Sequence, residues 1–123
     1  MKTILKYSEV RNFINGKFIS NSQNMLDVES PLDGKIISSL PLSTYDDLDL
    51  AVKAAKEAYI GWSSLTFKER AQIFFRYRAL LEENIDELSK LCQLENGKTY
   101  DESKAEVEKS MELCEFAVSI PQI

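Results

Sequence analysis

The chain has 123 residues, 44% hydrophobic and 28% charged, with a formal net charge of −5 and no histidine. That length allows one domain or part of one, and the composition is that of a folded domain, not a disordered tail. The acidic balance leaves no basic face to release phosphate counterions, so nucleic acid is not an expected partner.

Residues 1–10 carry no firm structural signal, and the opening MKTILKYSEVRN lacks the apolar run of a signal peptide. Nothing later in the chain approaches the length of a membrane span, so the expectation is a cytoplasmic protein with no membrane partner. From Asn12 the run NFINGKFIS predicts a β-hairpin. Asn15 and Gly16 are the favoured central pair of a type I′ turn, with Phe13 and Ile14 before it and Phe18 and Ile19 after it. A polar loop at 21–24 leads to a second hairpin. It consists of a strand at 26–30, a turn over Pro31, Leu32, Asp33 and Gly34, and a return strand at 35–40 ending before Pro41. Four short strands cannot bury both faces by themselves, so they are expected to lie against the helices or against protein outside this chain.

Ser43 or Thr44 caps a first long helix with Asp46 and Asp47 in its first turn. Leu48, Ala51, Val52, Ala55 and Tyr59 form its apolar stripe, Gly61 is expected to end it, and the Trp62 ring is expected to pack on the next helix. In the following stretch Thr66 and Glu69 spell a capping box. Ile73, Phe74, Tyr77, Leu80, Leu81, Ile85, Leu88, Leu91 and Cys92 then recur at three- and four-residue steps, which predicts a core-facing stripe. Gly97 closes this helix, Lys90 and Lys98 lie near its negative end, and the weak helix former Asn84 leaves a kink open near Glu83 and Asn84. A third helix begins at Thr99, with Glu102 completing another capping box, and runs until Pro121. Val107, Met111, Cys114 and Val118 share one of its faces, and Lys104, Glu108, Glu112 and Glu115 the opposite one. The expected architecture is two β-hairpins (12–42) followed by three main α-helices (43–120).

The chemical inventory is short. Without histidine, imidazole base catalysis and the commonest zinc sites are excluded. The glycines Gly16, Gly34, Gly61 and Gly97 lie too far apart for a dinucleotide or Walker loop, and Gly97-Lys98-Thr99 resembles a Walker tail without its leading glycine. Cys92 and Cys114 fall on apolar helix faces outside any ligand spacing, with no nearby cation or helix N-terminus to activate a thiolate. They read as packing residues of a protein from a reducing compartment. Glu102, Glu106, Glu108, Glu112 and Glu115 read as a solvated face, with Lys109 pairing with Glu106 or Glu112 at the surface. Trp62, Phe74, Phe75 and Tyr77, at helical spacing, read as core and not as an aromatic cage.

FINGKF at 13–18, SPLDGKII at 30–37, the alanine-rich helix ending in Trp62, ERAQIFFRYRALLEEN at 69–84 and LENGKT at 94–99 form a recognisable set. Taken together they resemble the N-terminal part of the aldehyde dehydrogenase superfamily, with SPLDGKII in place of the usual NPxTGEVI. The resemblance implies an α/β fold with a Rossmann-type cofactor domain, of which 1–123 would be the N-terminal part of the NAD(P)-binding domain. The catalytic and oligomerisation domains would be absent. FINGKF, ENGKT and the ending EFAVSIPQI are similar to the CoA-acylating branch that acts on malonate or methylmalonate semialdehyde. That branch commonly reads GEVxRG, with its arginine available to a substrate carboxylate, where this chain reads AEVEKS at 105–110 and places Lys109 there. Lysine keeps the charge and loses the planar two-donor fork. The longer AEVEKSMELCE is similar instead to a succinate-semialdehyde branch, which leaves the semialdehyde open.

By the same resemblance the full-length enzyme would be a homo-oligomer binding NAD or NADP. A cysteine thiolate would attack the aldehyde, hydride would pass to nicotinamide, and the thioester would be released to water or to CoA as co-substrate. The catalytic cysteine, the glutamate base and the dinucleotide-binding residues would lie beyond Ile123. No catalytic or cofactor-binding residue is therefore expected here, and this chain alone is expected to be inactive. Some members hold a monovalent cation near the positions matching Val28 and Glu106. A reading from a different class is a stand-alone, non-catalytic helical module that binds a protein partner through an exposed apolar stripe. A fragment would leave its apolar faces bare and self-associate, whereas such a module would fold cooperatively as a monomer or bury its stripe in one symmetric interface.

Overall fold

The computed structural model describes residues 9–19 and 22–122. Asn21 of the expected loop, most of the unassigned opening stretch and the terminal Ile123 lie outside them. The chain divides into two compact units, Met1–Gly61 and Trp62–Ile123.

In the first unit β1 (Asn12–Ile14) and β2 (Lys17–Ile19) pair antiparallel, with Phe13 opposite Phe18 and Ile14 opposite Lys17. Asn15 and Gly16 both have positive φ, 51° and 75°, as a type I′ turn requires. The Phe13 and Phe18 rings stack across the strands with centroids 4.9 Å apart, yet both are largely exposed. A second, separate antiparallel pair joins β3 (Met25–Glu29) to β4 (Ile36–Pro41), with a bulge at Val28/Glu29. Its turn is closed by Ser30, whose amide donates to the Lys35 carbonyl and whose carbonyl accepts from the Gly34 amide. Pro41 is the last residue of β4 and does not lie beyond it; at a strand end its missing N–H costs no ladder bond. The Val10 amide donates to the Ser39 carbonyl, and Asn12 Nδ2 donates to Ser43 Oγ, tying both hairpins to the start of α1 (Tyr45–Ser64).

Of the two expected caps for α1, Thr44 is the one used. Its hydroxyl accepts from the Asp47 amide while its own amide and hydroxyl donate to Asp47 Oδ2, at 2.8 and 2.9 Å. Asp47 is almost fully buried in this arrangement. The helix does not stop at Gly61. It runs to Ser64, because Gly61 has no positive φ and is an ordinary interior helical residue. Trp62 is accordingly in the last turn of α1 and does not follow its end.

In the second unit the expected single helix is cut in two at Asn84, giving α2 (Phe67–Glu83) and α3 (Ile85–Asn96). Asn84 adopts φ −110° and ψ 15°, and the Leu80 carbonyl accepts from both its backbone amide, at 3.2 Å, and its Nδ2, at 2.8 Å. The described residues therefore form four α-helices where three were expected. Thr66 and Glu69 form the capping box of α2, and Thr99 and Glu102 that of α4 (Tyr100–Ser119), which ends in a 3₁₀ turn at Ile120–Gln122. Gly97 closes α3 in the left-handed conformation at φ 69°. Both α2 and α3 pack on α4, and Arg78 bridges α2 to α4 by donating to Glu115 at 2.7 Å and to Glu82 at 2.9 Å.

The stripe on α2 is not a core. Among the described residues only Ala71, Leu81 and Cys114 are buried hydrophobic residues, and Ile73, Phe74, Tyr77 and Leu80 remain 37–55% exposed. The α1 stripe is likewise open at Leu48, Val52 and Tyr59. Three- and four-residue spacing sets which residues share a face, not what covers it.

Two expectations follow. Gly61→Ala should stabilise α1 by about 1 kcal/mol, since the position is helical and a Cβ there meets nothing within 4 Å; thermal unfolding checks this, and destabilisation would contradict it. The Thr66 and Thr99 amides, then their hydroxyls, hold the Glu69 and Glu102 carboxyls below the usual carboxylate range. Their contribution is complete above that range and is lost as pH falls through it to the lowered folded values. Thr66→Ala and Thr99→Ala should each cost about 1 kcal/mol at neutral pH and flatten the acid limb of helix loss followed by far-ultraviolet circular dichroism.

Candidate functional site

The densest polar cluster spans the junction from α3 to α4, where the LENGKT segment lies. Gly97 turns the chain, Thr99 caps α4, and Lys98 between them reaches over to donate to Glu106 Oε2 at 2.7 Å. The Cys92 thiol donates to the same oxygen at 3.2 Å. A cation therefore stands one carboxylate away from Cys92, a neighbour that the linear sequence did not disclose. Lys98 and then the thiol hold the Glu106 carboxyl below its ordinary range, and Glu106 in turn raises Lys98. Beside this cluster the Tyr100 hydroxyl donates to Asp86 at 2.5 Å, which raises the phenol. Lys98 thus clamps α4 and does not sit on the last turn of α3. The motif joins the end of α3 to α4.

Lys109 lies on the exposed face of α4 and pairs with Glu112, the surface ion pair that its spacing suggests. Glu106, one turn earlier, is held by Lys98 instead. Val28 belongs to β3 in the first unit, where it is paired with Ser38. Glu106 Oε2 accepts from Lys98, and the Glu106 carbonyl accepts from Ser110 Oγ. Among the described residues there is no cluster of three acidic, cysteine or histidine side chains able to hold a metal ion, and no helix is long and apolar enough to cross a membrane. Cys114 is buried and Cys92 half-buried, both as free thiols.

Sequence spacing missed an apolar cleft within the second unit. Trp62, Phe67, Phe74 and Ile120 flank Arg70 there, around a space of about 180 Å³. Trp62 does pack beside α2, but it and Phe74 stay 37% exposed, while Phe75 and Tyr77 are half exposed; none of the four is core. The Arg70 guanidinium lies 4.7 Å from the Phe67 ring centroid and 6.0 Å from that of Trp62. The available signal was an aromatic residue three positions before an arginine on one helix face, a spacing that permits stacking.

Comparison with known proteins accounts for this pattern of caps without a reactive centre. The chain belongs to the aldehyde dehydrogenase family, whose profile matches residues 18–122. It is 46% identical over 115 residues to malonate-semialdehyde dehydrogenase 2 of Bacillus mycoides (strain KBAB4), covering 93% of this chain and 24% of that protein. Among solved structures, it is similar to one assigned as a methylmalonate-semialdehyde dehydrogenase from Sinorhizobium meliloti 1021, complexed with NAD. The TM-score is 0.89 at 32% identity, over 94% of this chain and 24% of that one. The methylmalonate-semialdehyde dehydrogenase of Oceanimonas doudoroffii gives a TM-score of 0.90 at 28% identity, again over 94% and 24%. The chain thus spans about a quarter of the length of the relatives it matches. Membership of this family, over most of the chain, does not favour a stand-alone module.

Proposed function

We propose that these residues are the N-terminal part of the NAD(P)-binding domain of a longer aldehyde dehydrogenase that oxidises a small semialdehyde. Malonate or methylmalonate semialdehyde is the substrate class, and CoA the acceptor of the acyl group. The observation that carries this reading is the 46% identity, over 93% of the chain, to a malonate-semialdehyde dehydrogenase. Uncovered apolar faces on α1 and α2 support it physically, since such faces belong against further protein.

The dinucleotide itself fits nothing in these residues. All four strands form antiparallel hairpins and not the parallel crossover sheet that holds a dinucleotide. The glycines lie at two hairpin turns, inside a helix and at a helix end, so no phosphate cradle forms. Cofactor binding and the cysteine and glutamate chemistry belong to the remaining polypeptide. The two free thiols suit a reducing, cytoplasmic setting, and the full-length enzyme is a homo-oligomer in this reading.

Within the described residues Lys109 is the candidate for the substrate carboxylate. Its present partner, Glu112, is an exposed carboxylate on the same helix, and a pairing of that kind is weak enough to be exchanged for a substrate anion. In the full-length enzyme Lys109→Met should raise KM for carboxylated semialdehydes severalfold more than for uncharged aldehydes of similar size, because only the former offer an anion to pair with. An equal change for both would make Lys109 an ordinary surface residue. Absence of NAD(P)-dependent semialdehyde oxidation by the unaltered full-length protein would remove the functional reading itself.

A further inference from the structure

We propose that Asn15, at the tip of the β1–β2 hairpin, is a site of spontaneous covalent modification. It converts through a cyclic succinimide to aspartate and isoaspartate, and the isoaspartyl product loosens the hairpin. The second Asn-Gly pair, Asn96-Gly97, is shielded from the same chemistry by the helix end it forms. Neither statement depends on the activity of the longer enzyme.

The reaction requires two groups to meet. The backbone nitrogen of the residue after the asparagine, once deprotonated, attacks the side-chain carbonyl carbon; a C–N bond forms and ammonia leaves. Water then opens the ring at one of its two carbonyls, so the only co-reactant is water and nothing is oxidised or reduced. Glycine in the second position favours ring closure, because no Cβ stands in its way. The sequence holds two such pairs, Asn15-Gly16 and Asn96-Gly97.

The fold treats the two pairs differently. At the end of α3 both reacting groups are engaged: the Gly97 amide donates to the Gln93 carbonyl at 2.9 Å, and Asn96 Nδ2 donates to the Cys92 carbonyl at 3.2 Å. The residues that follow are fastened too, Lys98 to Glu106 and the Thr99 amide to Glu102. Ring closure there must break an anchored helix end. At the hairpin tip Asn15 and Gly16 are exposed, and a Cβ built on Gly16 meets nothing within 4 Å. Among the described residues neither the Asn15 side chain nor the Gly16 amide has a hydrogen-bond partner. Only the tip itself has to flex.

Isoaspartate carries the main chain through the former side-chain carbon, which lengthens the turn by a methylene and adds a negative charge. A two-residue type I′ turn matches its strands only at its own length, and turn length fixes the register. The facing of Phe13 with Phe18 and of Ile14 with Lys17 rests on it. Conversion at Asn15 therefore loosens β1 from β2, whereas aspartate at the same place leaves the main chain unchanged.

The test incubates the full-length protein, native and in urea, at mildly alkaline pH and follows conversion by peptide mass spectrometry. Trypsin cuts after Arg11, Lys17, Lys90 and Lys98, so each pair falls in its own peptide, 12–17 or 91–98. In the native protein Asn15 should convert severalfold faster than Asn96, and its rate should rise with pH because the attacking nitrogen must lose its proton. In urea the two rates should converge. An Asn15 that converts only when unfolded, or equal native rates at both positions, would overturn the assignment. An Asn96 that stays slow in urea would trace the difference to local sequence and overturn the shielding. The isoaspartyl form, separated by anion exchange, should show faster amide hydrogen exchange in β1 and β2, and Asn15→Asp should not. Unchanged exchange in the isoaspartyl form would overturn the effect on the hairpin.

Discussion

Burial of apolar surface is the term that most folds depend on, and this chain supplies little of it to itself. Fully burying a Leu, Ile or Phe side chain is worth roughly 1.5–3 kcal/mol. Here the buried hydrophobic residues are Ala71, Leu81 and Cys114, while Phe13, Phe18, Leu48, Tyr59, Ile60, Leu113 and Phe116 stand largely exposed. Order must therefore come disproportionately from local devices: three capping boxes, a type I′ turn, a left-handed glycine and the Arg78 bridge. Such devices fix where each element starts and stops. They do not substitute for a core.

This imbalance is what a covering layer looks like when considered without what it covers. Helix α3 packs on α4 where the small buried residues Ser89 and Ser103 lie, with the Lys98–Glu106 clamp at the junction, and Arg78 ties α2 to α4 through Glu115. The outward faces keep the aromatic and branched residues. The polar cluster at Cys92 serves the same geometry: Glu106 accepts from both α3 and the loop after it.

Legibility in the sequence followed the range of each interaction. The Asn15-Gly16 hairpin, the Pro31–Gly34 turn and the Thr-x-x-Glu boxes are decided within four residues and were readable directly. Gly61 was misread as a stop because glycine permits a left-handed ending without requiring one. Asn84 hinted at a kink, and the break lies at that residue, whose backbone leaves the helical region at φ −110° and ψ 15°. The buried set was not legible, since periodicity names a face and tertiary context fills it. The cation beside Cys92 and the approach of Arg70 to Trp62 join residues from different elements, so spacing alone could not pair them, whereas Phe67 and Arg70 share one face of α2. The residues named for substrate and cation, Lys109, Val28 and Glu106, came from resemblance. In the structure Lys109 pairs with Glu112 and Glu106 with Lys98.

The central claim is that the bare apolar faces of these helices and hairpins are covered by the rest of a longer enzyme. Amide hydrogen exchange, compared between the 123-residue chain and the full-length protein, tests it most directly. The account predicts strong additional protection in α1, α2 and the β1–β2 hairpin of the full-length protein. Equal protection of those elements in both would contradict it.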